Sequence, residues 1–162
     1  MFAGLKIVDS HAHFPVSDIS IREAMGIPSE ERRTPLPREK KSYAGHPQRQ
    51  WGKAWGFPPN EKRTETDKEL AQRWITELDR YGIDRIVWTT GGGNDRLAKI
   101  VQMAPDRFIG YAHHYLFAPN AAEELERAIV DLGLKGYKML APTLEKPITD
   151  KSAYPVWEVC AK

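Results

Sequence analysis

Gly82-Ile83-Asp84-Arg85-Ile86-Val87-Trp88-Thr89-Thr90 decides the fold class. It is a short run of β-branched and aromatic residues, opened by one glycine and followed by Gly91-Gly92-Gly93, and it reads as a buried strand. The sequence on either side reads as helix. Upstream, Leu70, Trp74 and Leu78 recur at spacings of four, Thr66 or Asp67 can cap the start, and Gly82 closes the stretch after Tyr81. Downstream, Asn94 or Asp95 opens a helix through Met103. The same rhythm continues with a Pro105-Asp106 turn, a strand over Arg107–His114, a helix over Ala121–Leu132 closed by Gly133, and a strand over Leu134–Leu140. Asp150 then caps a helix beginning Ser152-Ala153-Tyr154-Pro155-Val156-Trp157. Strictly alternating strands and helices imply a parallel sheet with right-handed crossovers. Two architectures fit, an open doubly wound sheet or part of a (β/α)8 barrel.

A first strand precedes all of this. Leu5-Lys6-Ile7-Val8 runs into Asp9-Ser10-His11-Ala12-His13. Strand side chains alternate faces, so period two places Asp9, His11 and His13 together. Two neutral imidazoles side by side at a strand end can share one metal ion. The competing explanation is a histidine pair satisfying core polar groups, and a carboxylate on the same strand argues against it.

From Phe14 to about Thr66 no helical or strand period is sustained, and seven prolines interrupt the segment. Ser17 or Asp18 can cap a short helix over Ile19–Met25. Tyr43, Trp51, Trp55 and Phe57 argue for an ordered arm over a disordered one. Basic residues outnumber acidic ones there, and Arg49, Trp51, Lys53 and Trp55 interleave charge with aromatic rings. Such a pattern suits an oligomer interface or a cover over an anionic substrate. It could also bind RNA, but it lacks a nucleic-acid motif.

Composition bounds the rest. The 162 residues are 41% hydrophobic and 28% charged, with a net charge of +2, as expected of one soluble domain without a field for nucleic acid or membrane. Cys160 is the single cysteine, so no internal disulfide forms and a reducing, cytoplasmic setting is expected. No signal peptide or membrane-spanning apolar run is evident.

Other residues can carry chemistry. Gly91-Gly92-Gly93 lacks both dinucleotide and P-loop spacing and reads as a strand-to-helix turn. Of His113 and His114 only one can face a site, and His113 is a candidate substrate contact. Lys138 is costly to bury unpaired, so it is expected at the mouth of the sheet beside substrate, or else snorkelling between strands. Cys160 reads as a small buried or interface residue, and His46 as structural or solvated.

Several of these stretches together resemble the amidohydrolase superfamily. Val8-Asp9-Ser10-His11-Ala12-His13-Phe14 is similar to its opening strand motif, most like the amidohydrolase-2 branch that includes aminocarboxymuconate semialdehyde decarboxylase and related decarboxylases, hydratases and lactonases. Gly82–Val87, Pro105–Tyr111, Gly133–Lys138 and Asp150–Trp157 resemble its next three strands and a following helix. The resemblance implies the N-terminal half, about four βα units, of a (β/α)8 TIM barrel with a long arm inserted at about residues 15–66. It implies that His11 and His13 are ligands of a catalytic divalent metal, Zn2+ first and Mn2+ second, with Asp9 behind them. The family's remaining ligands and its catalytic histidine belong to the fifth, sixth and eighth strands, so no catalytic acid or base is assigned within residues 1–162. Truncation, a complementary C-terminal half, or pairing into a homo-oligomer would each account for a half barrel, and truncation is favoured. The expected activity is hydrolysis or non-oxidative decarboxylation of a small carboxylate-bearing molecule. The alternative is a non-catalytic half-barrel acting as an assembly subunit.

Overall fold

The computed structural model describes residues 4–15, 65–141 and 144–162. Most of the expected arm, including the helix read over Ile19–Met25 and the four aromatics, lies outside the described residues. Strand β1 (Val8–His13) is followed by helix α1 (Asp67–Tyr81), β2 (Arg85–Thr90), α2 (Asn94–Met103), β3 (Phe108–Gly110) and α3 (Ala121–Val130). A 3-10 turn (Lys151–Ala153) then leads into α4 (Tyr154–Cys160).

Local chemistry sets these boundaries. Thr66 and Glu69 form a reciprocal capping box at the start of α1: the Thr66 hydroxyl accepts from the Glu69 N–H, and the Glu69 carboxylate accepts from the Thr66 N–H at 2.8 Å. Gly82 ends α1 at φ 67°, a left-handed conformation that favours glycine. Asp150 caps the last helical stretch by accepting from the Ser152 N–H. That stretch opens as a 3-10 turn and becomes α-helical only at Tyr154, with Pro155 in the first turn, where its missing N–H costs nothing.

The three strands are parallel and ordered β1-β2-β3. The expected fourth strand is reduced to a single parallel bridge, Ala112 with Tyr137. Its backbone still bonds in ladder fashion: the Lys135 N–H donates to Gly110 O, the Ala112 N–H to Gly136 O and the Lys138 N–H to Ala112 O. The fourth stretch therefore lies beside the third. The two common doubly wound orders return the fourth strand to β1 or set β1 between β2 and β3, and the sequential order here matches neither. β1 starts later than the Leu5-Lys6-Ile7-Val8 run, because its ladder with β2 begins only at Val8, paired with Arg85.

The core lies between the sheet and its helices. Trp88 on β2 is fully buried and meets the rings of Phe14, Trp74 and Phe108 edge-on, at centroid distances of 5.1, 4.9 and 5.5 Å. Ile86, Leu97, Ile100, Leu125, Leu134 and Val156 extend the same layer. Burial runs through β2 from Ile86 to Thr89, as both covered faces of a parallel strand require. Among the described residues no helix is long and apolar enough to cross a membrane.

Candidate metal centre

His11 and His13 meet at the C-terminal end of β1. Their Nε2 atoms lie 3.1 Å apart and their ring centroids 5.2 Å apart. As residues two apart on the strand, His11 and His13 share a face, as alternation predicts. The β1–β2 ladder is irregular between them and Asp9: Asp9 pairs with Ile86 and Ala12 with Trp88, three residues against two, and the register is recovered at His13, paired with Thr90. The Asp9 carboxylate accepts the His11 backbone N–H at 3.1 Å, so it holds the bulged chain that carries His11.

Lys138 and His113 arrive from the neighbouring stretches. The Lys138 Nζ lies 3.4 Å from His13 Nε2. The Lys138 carbonyl is 2.9 Å from His113 Nδ1, a contact satisfied when Nδ1 carries the proton and Nε2 keeps its lone pair. His114 turns away, with Nε2 donating to Ala121 O at 2.9 Å and its ring beside Tyr137. Both histidines are buried, and alternation separates them as expected.

Asn94 is the residue that sequence reading took only for a helix start. It is 6% exposed and joins three groups. Its Oδ1 accepts the His113 backbone N–H at 2.9 Å; its Nδ2 donates to Glu124 at 2.7 Å and stands 3.4 Å from His114 Nδ1. Glu124 in turn pairs with Arg127, which also binds the Asp95 carboxylate. A buried asparagine at a strand-to-helix turn was the available signal, because that position would normally be a solvated cap.

Electrostatics distinguish His13. Burial, then the charge of Lys138, then His11 and His113 push its pKa down to about 4. Every charged neighbour acting on it is itself a base. Burial also lowers His113 and His114, with the bonds to the carbonyls of Lys138 and Ala121 opposing that shift, and burial lowers Lys138. His13, His113 and His114 are thus neutral near pH 7, with lone pairs available.

The glycine turn has a local explanation. Gly92 and Gly93 take φ of 76° and 98°, and a Cβ on Gly91 would lie 2.8 Å from the Leu97 side chain. Nothing about the turn points to phosphate. Cys160, expected to be buried or at an interface, is exposed on α4.

The Amidohydrolase family model, Amidohydro_2, matches residues 8–162. The chain belongs to the amidohydrolase family. A curated relative, 2-amino-3-carboxymuconate-6-semialdehyde decarboxylase of Dictyostelium discoideum, is 34% identical over 70 residues, which are 43% of this chain and 20% of the relative. Among solved structures, this amidohydrolase chain is similar to 5-carboxyvanillate decarboxylase of Novosphingobium aromaticivorans with bound manganese, at TM-score 0.59 and 19% identity over 98% of this chain and 48% of that one. It is also similar to an amidohydrolase from Staphylococcus aureus, at TM-score 0.55 and 17% identity over 96% and 44%. A 2,6-dihydroxybenzoate decarboxylase matches at TM-score 0.51 and 19% identity over 95% and 47%. The chain spans about half the length of these structures and a fifth of the curated relative.

The histidine pair of this amidohydrolase fits a divalent ion by two observations. Nitrogens 3.1 Å apart have the spacing of adjacent ligands whose metal–nitrogen distances are about 2.0–2.1 Å. Among the described residues only bases act on His13, so no carboxylate favours its protonated form, which could not bind a metal. Among the described residues no group of three or more His, Cys, Asp or Glu side chains is placed to hold an ion. Lys138 competes for the His13 lone pair and would swing aside on its four-carbon stem when an ion enters.

Proposed function

We propose that this chain supplies the first four βα units of a (β/α)8 barrel whose divalent metal, Zn2+ or Mn2+, is held in part by His11 and His13. The whole protein acts on a small carboxylate-bearing molecule, by non-oxidative decarboxylation or by hydrolysis. The observation that carries this reading is the 3.1 Å approach of the two Nε2 atoms at the C-terminal strand ends, where barrel enzymes place their sites. The sequential strand order supports the barrel. The Dictyostelium relative supports decarboxylation ahead of hydrolysis.

A bound ion would supply Lewis-acid polarisation of substrate oxygen or an activated water. The chain's own residues do the rest. Lys138 brings a cationic amine to the strand ends, where it attracts and orients a carboxylate. His113, fixed through Nδ1, presents Nε2 as a hydrogen-bond acceptor toward substrate. Asp9 shapes the bulge beneath His11. The remaining barrel wall lies outside residues 1–162, in a continuation of the same chain, a complementary C-terminal half or a second copy.

The test is an assay of the chain with Mn2+ or Zn2+, alone and mixed with a chain carrying the other four βα units. A panel of small carboxylates is monitored for CO2 release and for hydrolysis. Metal-dependent turnover that a chelator removes is expected, at least in the mixture. No turnover in either sample, with the mixture shown to associate, would sink the enzymatic reading in favour of an assembly role.

A further inference from the structure

Arg96, on the first turns of α2, meets three separate pieces of backbone and side chain at the C-terminal end of the sheet. Its Nη1 donates to Gly91 O at 2.8 Å, just past β2. Its Nη2 donates to Pro15 O at 3.1 Å, just past β1. Nε and Nη2 together bind the Asp67 carboxylate at the first residue of α1, with Nε at 3.0 Å. The guanidinium also lies 5.5 Å from the ring centroid of Phe14, so it covers the residue between His13 and Pro15. The side chain is 24% exposed, and its donors all point inward to these partners.

We propose that Arg96 is a positioning residue: its planar fork clasps the exits of β1 and β2 to the start of α1 and so fixes where the β1 terminus holds His11 and His13. This rests on the metal reading above only for what the pair binds; the clasp itself is a matter of backbone placement. Three features support it. Asp67 and Pro15 flank the long intervening segment, and among the described residues the backbone after His13 bonds to β2 only through Phe14 N–H to Thr90 O, at 2.9 Å. The strand is already irregular next to this point, with a register break between Ala12 and His13. A bulged strand end is held less firmly by its ladder, so an external tie matters more there. Finally, a lysine cannot reproduce the arrangement, because one ammonium cannot present the fork in a plane to a carboxylate and two carbonyls.

The fold contains its own control. Arg107, at the opposite end of the sheet, makes a comparable clamp: Nε to Asp84 O, Nη2 to Ile83 O and Nη1 to the Asp79 carboxylate. It touches nothing near the histidines.

The experiment compares the full chain with Arg96→Met, Arg96→Lys and Arg107→Met. It reads amide hydrogen exchange at Phe14 and binding of Zn2+ and Mn2+ by titration. Arg96→Met should speed Phe14 exchange at least about tenfold and weaken ion binding about tenfold, the range seen when a residue behind metal ligands is lost. Arg96→Lys should retain most of both losses. Arg107→Met should lower thermal stability yet leave Phe14 exchange relative to global unfolding, and ion affinity, at wild-type values. Wild-type exchange in Arg96→Met overturns the clasp, as does full recovery in Arg96→Lys or an equal effect from Arg107→Met. If the unaltered chain binds neither ion, the metal reading fails; the clasp is still decided by the Phe14 amide.

Discussion

Two clusters on one sheet are built on opposite electrostatic plans. At the N-terminal end Arg107 meets carbonyls and a carboxylate, so each positive group faces an acceptor. At the C-terminal end, beside the paired Arg96 and Asp67, His11, His13, His113 and Lys138 gather, and among the described residues only bases act on His13. Paired charge makes a stable hinge between elements. A cluster of bases without an acid is unfavourable for the isolated fold and useful only if something electron-poor or anionic completes it. The difference singles out the histidine cluster as the candidate site on charge alone.

Predictions that could break this contrast follow in order of size. Asn94→Ala should cost about 2–3 kcal/mol in chemical denaturation, since it strands the buried His113 N–H and removes a partner of Glu124. A loss below about 0.5 kcal/mol would mean the C-terminal polar groups are not held as described. Arg107→Ala should cost about 1–2 kcal/mol, all of it in stability, because its partners are half in solvent and serve only to join β2, β3 and α1. Lys138→Met should bind a divalent ion more tightly than the parent chain in a titration, having lost the amine that competes for His13, and should lose affinity for carboxylates in the same experiment. Weaker ion binding in that variant would show Lys138 to be a support of the pair.

The smallest effect is on pH dependence, and it has a definite sign. His13, His113 and His114 all have pKa values below 6.5, so between pH 6.5 and about 4 the unfolded chain binds protons that the folded chain refuses. Stability should be greatest above pH 6.5 and fall as pH is lowered through that window. Replacing His114 with Gln should flatten the fall. A stability that rises on acidification would contradict the all-base cluster.

How legible this was varies with the physical range of each signal. The α1 capping box and its Gly82 terminator are local, so sequence spacing shows them directly. The His11–His13 pair was also visible. The irregularity of the strand that carries it was not, because it depends on how β1 registers against β2, seventy-odd residues away. Asn94 and Arg96 looked like ordinary helix-start residues, and their roles come from partners on β3, α3, β1 and α1. A fourth strand was readable over Leu134–Leu140. How much of it would join the ladder was not, since that depends on pairing with β3.

One measurement tests the central claim most directly: titration of Zn2+ and of Mn2+ into the full chain, beside His11→Ala and His13→Ala. The account predicts binding of about one ion per chain, lost in both variants while their folds remain intact by circular dichroism. Absence of binding in the parent chain, or binding that survives both substitutions, would contradict it.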